Sequence, residues 1–234
     1  MYGLWVHFRV YPIILLPILL IHEYKLSKQQ SNTSFLIKFI KISIFSGTPF
    51  ILLLLYFYRL YGYPFLHQTY LYHLTRLDNR HSFSPIFYEI YLNMNSQSFL
   101  RSMAQFCVIF AISRKIYNKI SFYYAHFLIT YAFVSFNKVI TMQYYMWIFG
   151  SLLLVLPEST LTTNSHRRYQ KIFSYVMQFL LGILLWVWSS IKLEKEGENQ
   201  FNLMWFICIG KLFSDYWAVS GFMSTVKNKL SEYK

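Results

Sequence analysis

The chain has 234 residues, of which 56% are hydrophobic and 21% aromatic, while only 13% are charged. A soluble domain usually carries about 25% charged residues, so this composition excludes a water-exposed globule and indicates a membrane protein. The formal net charge of +13 would indicate nucleic-acid binding in a soluble protein, but in a membrane protein it more often marks cytoplasmic loops, and we expect no nucleic-acid partner.

Seven stretches of the chain are apolar enough to be membrane-spanning helices, which need about 20 mainly apolar residues. They cover residues 4–21, 39–58, 99–113, 120–136, 143–156, 172–191 and 201–223. The third and fifth are short and would reach across the bilayer by tilting or by using flanking residues. The sequence therefore predicts an all-α, multi-pass transmembrane bundle, forming a single domain over residues 1–234.

The first stretch does not have the pattern of a cleavable signal peptide. Arg9 interrupts its apolar run, and no small-residue cleavage site follows Leu20. The two cysteines, Cys107 and Cys208, lie inside apolar runs without metal-ligand spacing. They predict neither a metal site nor a disulfide.

Lysine and arginine are unequally divided between the two sets of connecting segments. One set holds 13 of them, namely Lys25, Lys28, Lys38, Lys41, Arg114, Lys115, Lys119, Arg167, Arg168, Lys171, Lys227, Lys229 and Lys234. The other holds six, namely Arg59, Arg76, Arg80, Lys138, Lys192 and Lys195. The richer set is predicted to be cytoplasmic. With seven spans, residue 1 then lies on the opposite side, an arrangement that is more natural if further spans precede it.

The segment 59–98 is the one long connection on the non-cytoplasmic side, and it is rich in polar side chains. It reads YGYPFLHQTYLYHLTRLDNRHSFSPIFYEIYL over residues 61–92. Arg76 and Arg80 offer planar guanidinium groups suited to a phosphate, as in a phosphorylated lipid head group. Asp78 lies between them as an ion-pair partner or an acid/base group. The alternative is a solvated interfacial loop whose aromatic residues form a membrane belt.

Three histidines of this segment, His67, His73 and His81, raise the question of a metal site. Their spacings of six and eight residues place them on no common helical face, and no cysteine accompanies them. Hydrogen bonding or stacking is the favoured interpretation, so no metal is predicted.

Two further polar groups lie near the ends of predicted spans. His7 and Arg9 occur in GLWVHFRVYP, and a charge at membrane depth usually faces protein or a cavity. Arg9 could equally snorkel to the interface. Asn137, Lys138 and Gln143 occur in FNKVITMQYYMW, where the residues alone indicate an interfacial anchor.

These segments resemble three motifs of the GPI mannosyltransferase I catalytic subunit family, in the family's order and approximate spacing. The first motif covers residues 3–12, the second residues 70–85 (YLYHLTRLDNRHSFSP) and the third residues 136–147. The second is the most specific, and a weaker likeness covers residues 199–213. The resemblance runs through nearly the whole chain but corresponds only to the C-terminal part of the family's longer proteins.

The resemblance implies a GT-C-type glycosyltransferase of the endoplasmic reticulum membrane whose active face is lumenal. Family members transfer mannose from dolichol-phosphate mannose to glucosaminyl-phosphatidylinositol, with inversion to an α1,4 linkage. They work with a small accessory membrane subunit, and no bound cofactor is expected. Catalytic roles are implied for Asp78 and His81. Substrate-binding roles are implied for His7, Arg9, His73, Arg76, Arg80, Asn137, Lys138 and Gln143.

The sequence departs from the family's pattern at several points. It contains no Asp-x-Asp element, and Leu77 stands where relatives tend to carry a second arginine. Ile140 and Met142 also differ from the usual run. A second hypothesis is therefore a catalytically inactive scaffold or accessory subunit of the same pathway. A third, a small transporter, has only Arg101, Lys211 and Asp215 in its favour.

Overall fold

The computed structural model describes residues 2–28, 32–76, 82–93, 98–116, 121–156 and 166–232. All regular secondary structure in these ranges is helical, and no strand occurs among them. The predicted all-α class is thus confirmed.

The first apolar stretch forms three short helices in place of one long one. Helix α1 covers Tyr2–Phe8, a 3-10 helix covers Tyr11–Leu15, and α2 covers Leu16–Lys28. Pro12 lies in the first turn of the 3-10 helix. Because Pro12 has no N–H, it cannot donate the i→i−4 hydrogen bond to Phe8 that a continuation of α1 would need, which favours a break here.

Helix α3, Asn32–Tyr61, is a 30-residue helix that carries the second predicted span. Many of its apolar side chains are exposed, with Phe45 72% and Leu52 61% exposed. Helices α1 and α2 pack against it. The approach of α1 is close enough that a Cβ atom on Gly3 would collide with the carbonyl oxygen of Ser46. Glycine at this position therefore lets the two backbones meet.

The connecting segment 59–98 is largely helical where the structure describes it. It contains α4, Tyr63–Leu66, a π-helix, His67–Leu71, α5, Tyr72–Thr75, and α6, Phe87–Leu92. Gly62 separates α3 from α4 with a φ of +66°, a left-handed conformation that glycine adopts without strain. Pro64 follows in the first turn of α4, where its missing N–H has no cost.

The remaining helices are α7, Ser98–Ile116, α8, Phe122–Ser135, α9, Met142–Val155, α10, His166–Lys195, and α11, Phe201–Glu232. The chain divides into two compact units. The first contains residues 1–76 and 98–129, and the second residues 77–97 and 130–234. Within the second unit, α10 packs along α11, and α6 also contacts α11.

Two helical stretches in the described part of the chain are long and apolar enough to cross a membrane. They are Leu36–Tyr61 and Phe173–Lys195, which coincide with the second and sixth predicted spans. Shorter apolar stretches lie at Tyr11–Tyr24, Gln105–Arg114 and Met142–Val155. The other five spans fall on helices but remain predictions as membrane crossings.

Candidate functional site

The first motif and the beginning of the second motif meet inside the first unit. The hydroxyl of Tyr70, on the π-helix, lies 2.8 Å from Nδ1 of His7 on α1. These residues are 63 positions apart in the chain, and His7 is only 7% exposed. A π-helix turn often occurs at functional positions of helical proteins, and here it carries Tyr70 to its partner.

The His7–Tyr70 pair is enclosed by an aromatic box, formed by Phe50 and Phe57 of α3 and Phe65 of α4. The His7 ring stacks on Phe57 at a centroid distance of 5.6 Å and an interplanar angle of 19°. Phe50 and Phe65 lie within 6.3 Å of the His7 ring. Tyr70 belongs to the connection between the second and third predicted spans. Burial raises the pKa of its phenol, so the hydroxyl stays protonated at neutral pH and can donate to Nδ1 of His7.

The other predicted residues of the first unit have different environments. Arg9 follows α1, where its backbone N–H bonds the carbonyl of Trp5, and its side chain is exposed. His73 on α5 is also exposed, with its ring 6.1 Å from that of Tyr72. Arg76 ends α5 and is half-buried. The structure thus brings His7, but neither Arg9 nor His73, into the protein interior.

The end of the second motif is joined to the beginning of the third within the second unit. We call this arrangement the serine clamp, and it consists of residues 82–85 and 137–140. Oγ of Ser82 accepts the backbone N–H of Ile140 at 3.1 Å, and the N–H of Phe83 bonds the Ile140 carbonyl at 2.9 Å. Oγ of Ser84 donates to the Asn137 carbonyl at 2.8 Å. Both serines are fully buried.

The serine clamp places the residues of the third motif in contrasting positions. Asn137 is half-buried and held through its carbonyl, whereas Lys138 is 6% exposed. Gln143, in the first turn of α9, is exposed. Phe83 stacks against Trp186 of α10 at 4.3 Å between ring centroids. The clamp therefore rests on α10 through an aromatic contact.

Three of the predicted residues lie outside the described part of the chain, namely Asp78, Arg80 and His81. The two predicted catalytic residues are among them, and their roles stay predictions. In the described ranges, no group of three or more His, Cys, Asp or Glu side chains could hold a metal ion. Because His81 falls outside these ranges, the metal prediction is also untested.

Sequence reasoning did not single out Tyr70, Ser82 or Ser84, although all three lie in the quoted second motif. The sequence feature that could have pointed to these three residues is the second motif itself. In SFSP, two small hydroxyl residues flank an aromatic residue, a pattern that suits a buried turn with local side-chain-to-backbone hydrogen bonds. Nothing in the sequence paired Tyr70 with His7, because that contact depends on how α1 and α4 pack against α3.

The fold and the site define a class of protein: an all-helical chain with long apolar helices, in which motif residues form buried polar contacts. The chain belongs to the mannosyltransferase (PIG-M) family, whose profile matches residues 1–222. The resemblance deduced from the motifs is thus confirmed.

Several curated relatives of the chain are named GPI mannosyltransferase 1. The chain is 35% identical to GPI mannosyltransferase 1 of Dictyostelium discoideum, over 87% of this chain and 52% of the relative. It is 34% identical to GPI mannosyltransferase 1 of Schizosaccharomyces pombe, over 85% and 54%. It is 33% identical to the GPI alpha-1,4-mannosyltransferase I catalytic subunit of Danio rerio, over 88% and 52%. The chain spans about half the length of these relatives. No solved structure matches it.

Proposed function

We propose that this chain forms the C-terminal membrane portion of a GPI mannosyltransferase I. The transferase would move mannose from dolichol-phosphate mannose to glucosaminyl-phosphatidylinositol. The observation that carries the proposal is the match of residues 1–222 to the mannosyltransferase family, supported by the names of the relatives. The buried His7–Tyr70 contact and the serine clamp support it further, because each joins residues of two different motifs.

The proposal includes a membrane arrangement of seven spans with a GT-C-type fold in the endoplasmic reticulum. Two apolar helices support membrane insertion, and the distribution of lysine and arginine supports a lumenal position for segment 59–98. A small accessory membrane subunit would accompany the chain, and no cofactor would be bound. Asn32 begins the single Asn-x-Ser/Thr sequon and would be cytoplasmic, so we expect no glycan there. A glycan detected on Asn32 by endoglycosidase treatment would invert this topology.

The reaction needs a site that holds a phosphate and orients sugar hydroxyls. Arg76 and Arg80 would bind the phosphate of the donor or of the inositol head group, and His73, Asp78 and His81 would position or activate sugar hydroxyls. Asn137, Lys138 and Gln143 would complete the lumenal wall, and His7 and Arg9 would bind substrate.

In the transfer step, the bond between the mannose C1 and the donor phosphate oxygen breaks while the acceptor hydroxyl bonds to C1. The hydroxyl proton passes to a carboxylate base, and dolichol phosphate leaves. Asp78 is the candidate for this base within the chain. The Asp-x-Asp element absent from this sequence would normally contribute to that role.

Complementation of a mutant that lacks the first GPI mannose tests the proposal. The chain would be expressed alone and as an extended chain, in which the upstream half of the Schizosaccharomyces pombe relative precedes it. We expect rescue by the extended chain, and loss of rescue on Arg80→Ala with expression retained. Failure of the extended chain despite normal expression would favour the inactive scaffold or accessory subunit. Retained activity in the Arg80→Ala form would remove Arg80 from the site.

A further inference from the structure

Helix α11 carries a buried charge pair in the middle of an apolar sequence. Nζ of Lys211 lies 2.5 Å from Oδ2 of Asp215, one helical turn further on. Their side chains are only 5% and 16% exposed. Charged groups at such positions are costly, and in membrane proteins they mark functional positions by default. The pair therefore calls for an explanation beyond the packing of α11.

The lysine of this pair also contacts the two neighbouring helices of the second unit. Its ammonium lies 4.4 Å from the ring centroid of Tyr145 on α9 and 5.2 Å from that of Phe179 on α10. A cation over aromatic faces gains most where water is excluded. Lys211 is therefore a contact shared by three helices, α9, α10 and α11.

A nearby hydrogen bond links α11 to α10, and a second one orients its acceptor side chain. The hydroxyl of Ser214 donates to Oε1 of Gln178 at 2.7 Å, and Nε2 of Gln178 donates to Ser174 at 3.2 Å. Ser214 precedes Asp215, so the charged pair cannot rotate about the axis of α11 without breaking the Ser214–Gln178 bond. This bond therefore helps to fix the position of the Lys211 ammonium.

The pair borders the serine clamp. A cavity of about 10 Å³, lined by Lys211 and Asp215, is also lined by Phe83, Pro85 and Ile140. These three residues belong to the clamp, and Tyr145 lines the same cavity and contacts the Phe83 ring at 6.2 Å. A change in the charge pair would therefore reach the clamp through Tyr145, whose ring neighbours both the Lys211 ammonium and the Phe83 ring.

We propose that Lys211 and Asp215 are positioning residues for mannosyl transfer. Their ion pair, held beneath Tyr145, fixes the serine clamp and thereby the third-motif residues Asn137 and Lys138. The inference rests on the proposed function, because only an active transferase gives positioning a catalytic meaning. It differs from a purely structural role in one respect. Two apolar residues of similar volume can replace a buried ion pair without loss of stability, but they would not hold Tyr145 and the clamp in place.

The test compares the parent extended chain with a double variant that carries both Lys211→Met and Asp215→Leu. We expect normal accumulation and an unchanged KM for the donor, with kcat lower by about 100-fold, the effect typical of a displacement near 1 Å. The matched control is a double variant that carries both Lys192→Met and Glu196→Leu, which removes a more exposed ion pair of the same sequence spacing at the C-terminal end of α10. It should leave both constants unchanged. A parental kcat in the double variant would overturn the proposal.

A second measurement is independent of activity. Val139, 2% exposed within the clamp, is changed to cysteine in a background that carries Cys107→Ser and Cys208→Ala, and maleimide labelling is followed in detergent. We expect slow labelling with the ion pair intact and faster labelling in the double variant. An unchanged labelling rate in the double variant would overturn the positioning role, whether or not the parent is active. If the parent is inactive but the double variant labels faster, only the proposed function is overturned.

Should the double variant fail to accumulate, Tyr145→Leu removes the ring above Lys211 and is also expected to accelerate labelling. Slow labelling in that variant would contradict the proposal.

Discussion

The two places where motifs meet are built from different kinds of contact. The His7–Tyr70 contact is one hydrogen bond between two side chains, enclosed by aromatic rings. The serine clamp instead joins two chain segments through three hydrogen bonds, each of which uses at least one backbone group. Each of them lies in a separate unit of the chain.

This difference determines what each region can tolerate. Two side-chain partners can be exchanged together for apolar groups, and the stability change is then small. A backbone N–H cannot be removed by substitution of its own side chain, other than by proline, so a lost acceptor leaves it buried and unpaired. We therefore expect the serine clamp to be the more sensitive of the two regions.

The largest effect is expected for Ser82→Ala. The Ser82 hydroxyl oxygen accepts the N–H groups of both Ile140 and Ser84, at 3.1 and 3.2 Å. Each buried donor left unpaired costs about 1–3 kcal/mol, so the loss of both should lower the free energy of unfolding by about 2–6 kcal/mol. Chemical denaturation in detergent micelles measures this loss.

The matched control for that substitution is Ser190→Ala. The Ser190 hydroxyl donates to the helical carbonyl of Trp186, which lies one turn earlier. Because such a bond is redundant with the helix ladder, we expect a change below about 0.5 kcal/mol. Equal losses in the two variants would show that the clamp bonds carry no special weight.

The next effect in size is expected for Gly3→Ala in the first unit. The added Cβ would overlap the carbonyl oxygen of Ser46, a backbone atom that can move only with α3. Overpacking of this kind costs about 1–3 kcal/mol, and a lower melting temperature of the purified protein would report it. Gly47→Ala, on the same helix as Ser46 but with no neighbouring atom within 4 Å, should have no such effect. A parental melting temperature in the Gly3 variant would contradict the close approach of α1 and α3.

Much of the fold was predictable, because apolar runs of spanning length fix where helices form. The break of the first apolar stretch near Arg9 was harder to predict, although Pro12 provides the physical reason. The helical course of residues 63–75 was not anticipated, since it depends on Phe65 and Tyr70 packing against the ring of His7 from α1. Local patterns do not contain such tertiary contacts.

For the candidate site, the sequence indicated the motifs but not their pairing. The predicted site residues have charged, imidazole or amide side chains, of which those of Arg9, His73 and Gln143 are exposed. The residues that hold the segments together are small or phenolic, such as Ser82, Ser84 and Tyr70. Chemical reactivity, which guided the choice of candidate ligands, gives no signal for residues whose role is to form hydrogen bonds that hold chain segments together.

A smaller loss is expected for Tyr70→Phe. The substitution keeps the ring contacts with Phe50 and Phe65 but removes the hydroxyl, which leaves Nδ1 of His7 without its partner. We expect the free energy of unfolding to fall by about 1–2 kcal/mol. Tyr56→Phe is the control, because Tyr56 is 59% exposed, and it should cost nothing measurable. A larger loss for Tyr56→Phe than for Tyr70→Phe would refute the enclosed hydrogen bond.

The smallest change in stability, and the sharpest separation of the two regions, is expected for His7→Phe combined with Tyr70→Phe. Both polar partners are then replaced by rings of similar shape within the aromatic box, so no buried group is left unpaired, and stability should return to within about 0.5 kcal/mol of the parent. Under the proposed function, the double variant should be inactive in mannosyl transfer, because His7 is a predicted substrate contact. Recovery of stability without activity would assign His7 a role in the reaction. If the double variant has both parental stability and parental activity, the His7–Tyr70 pair serves packing alone. If instead the two substitutions lower stability additively, the aromatic box depends on the polar contact.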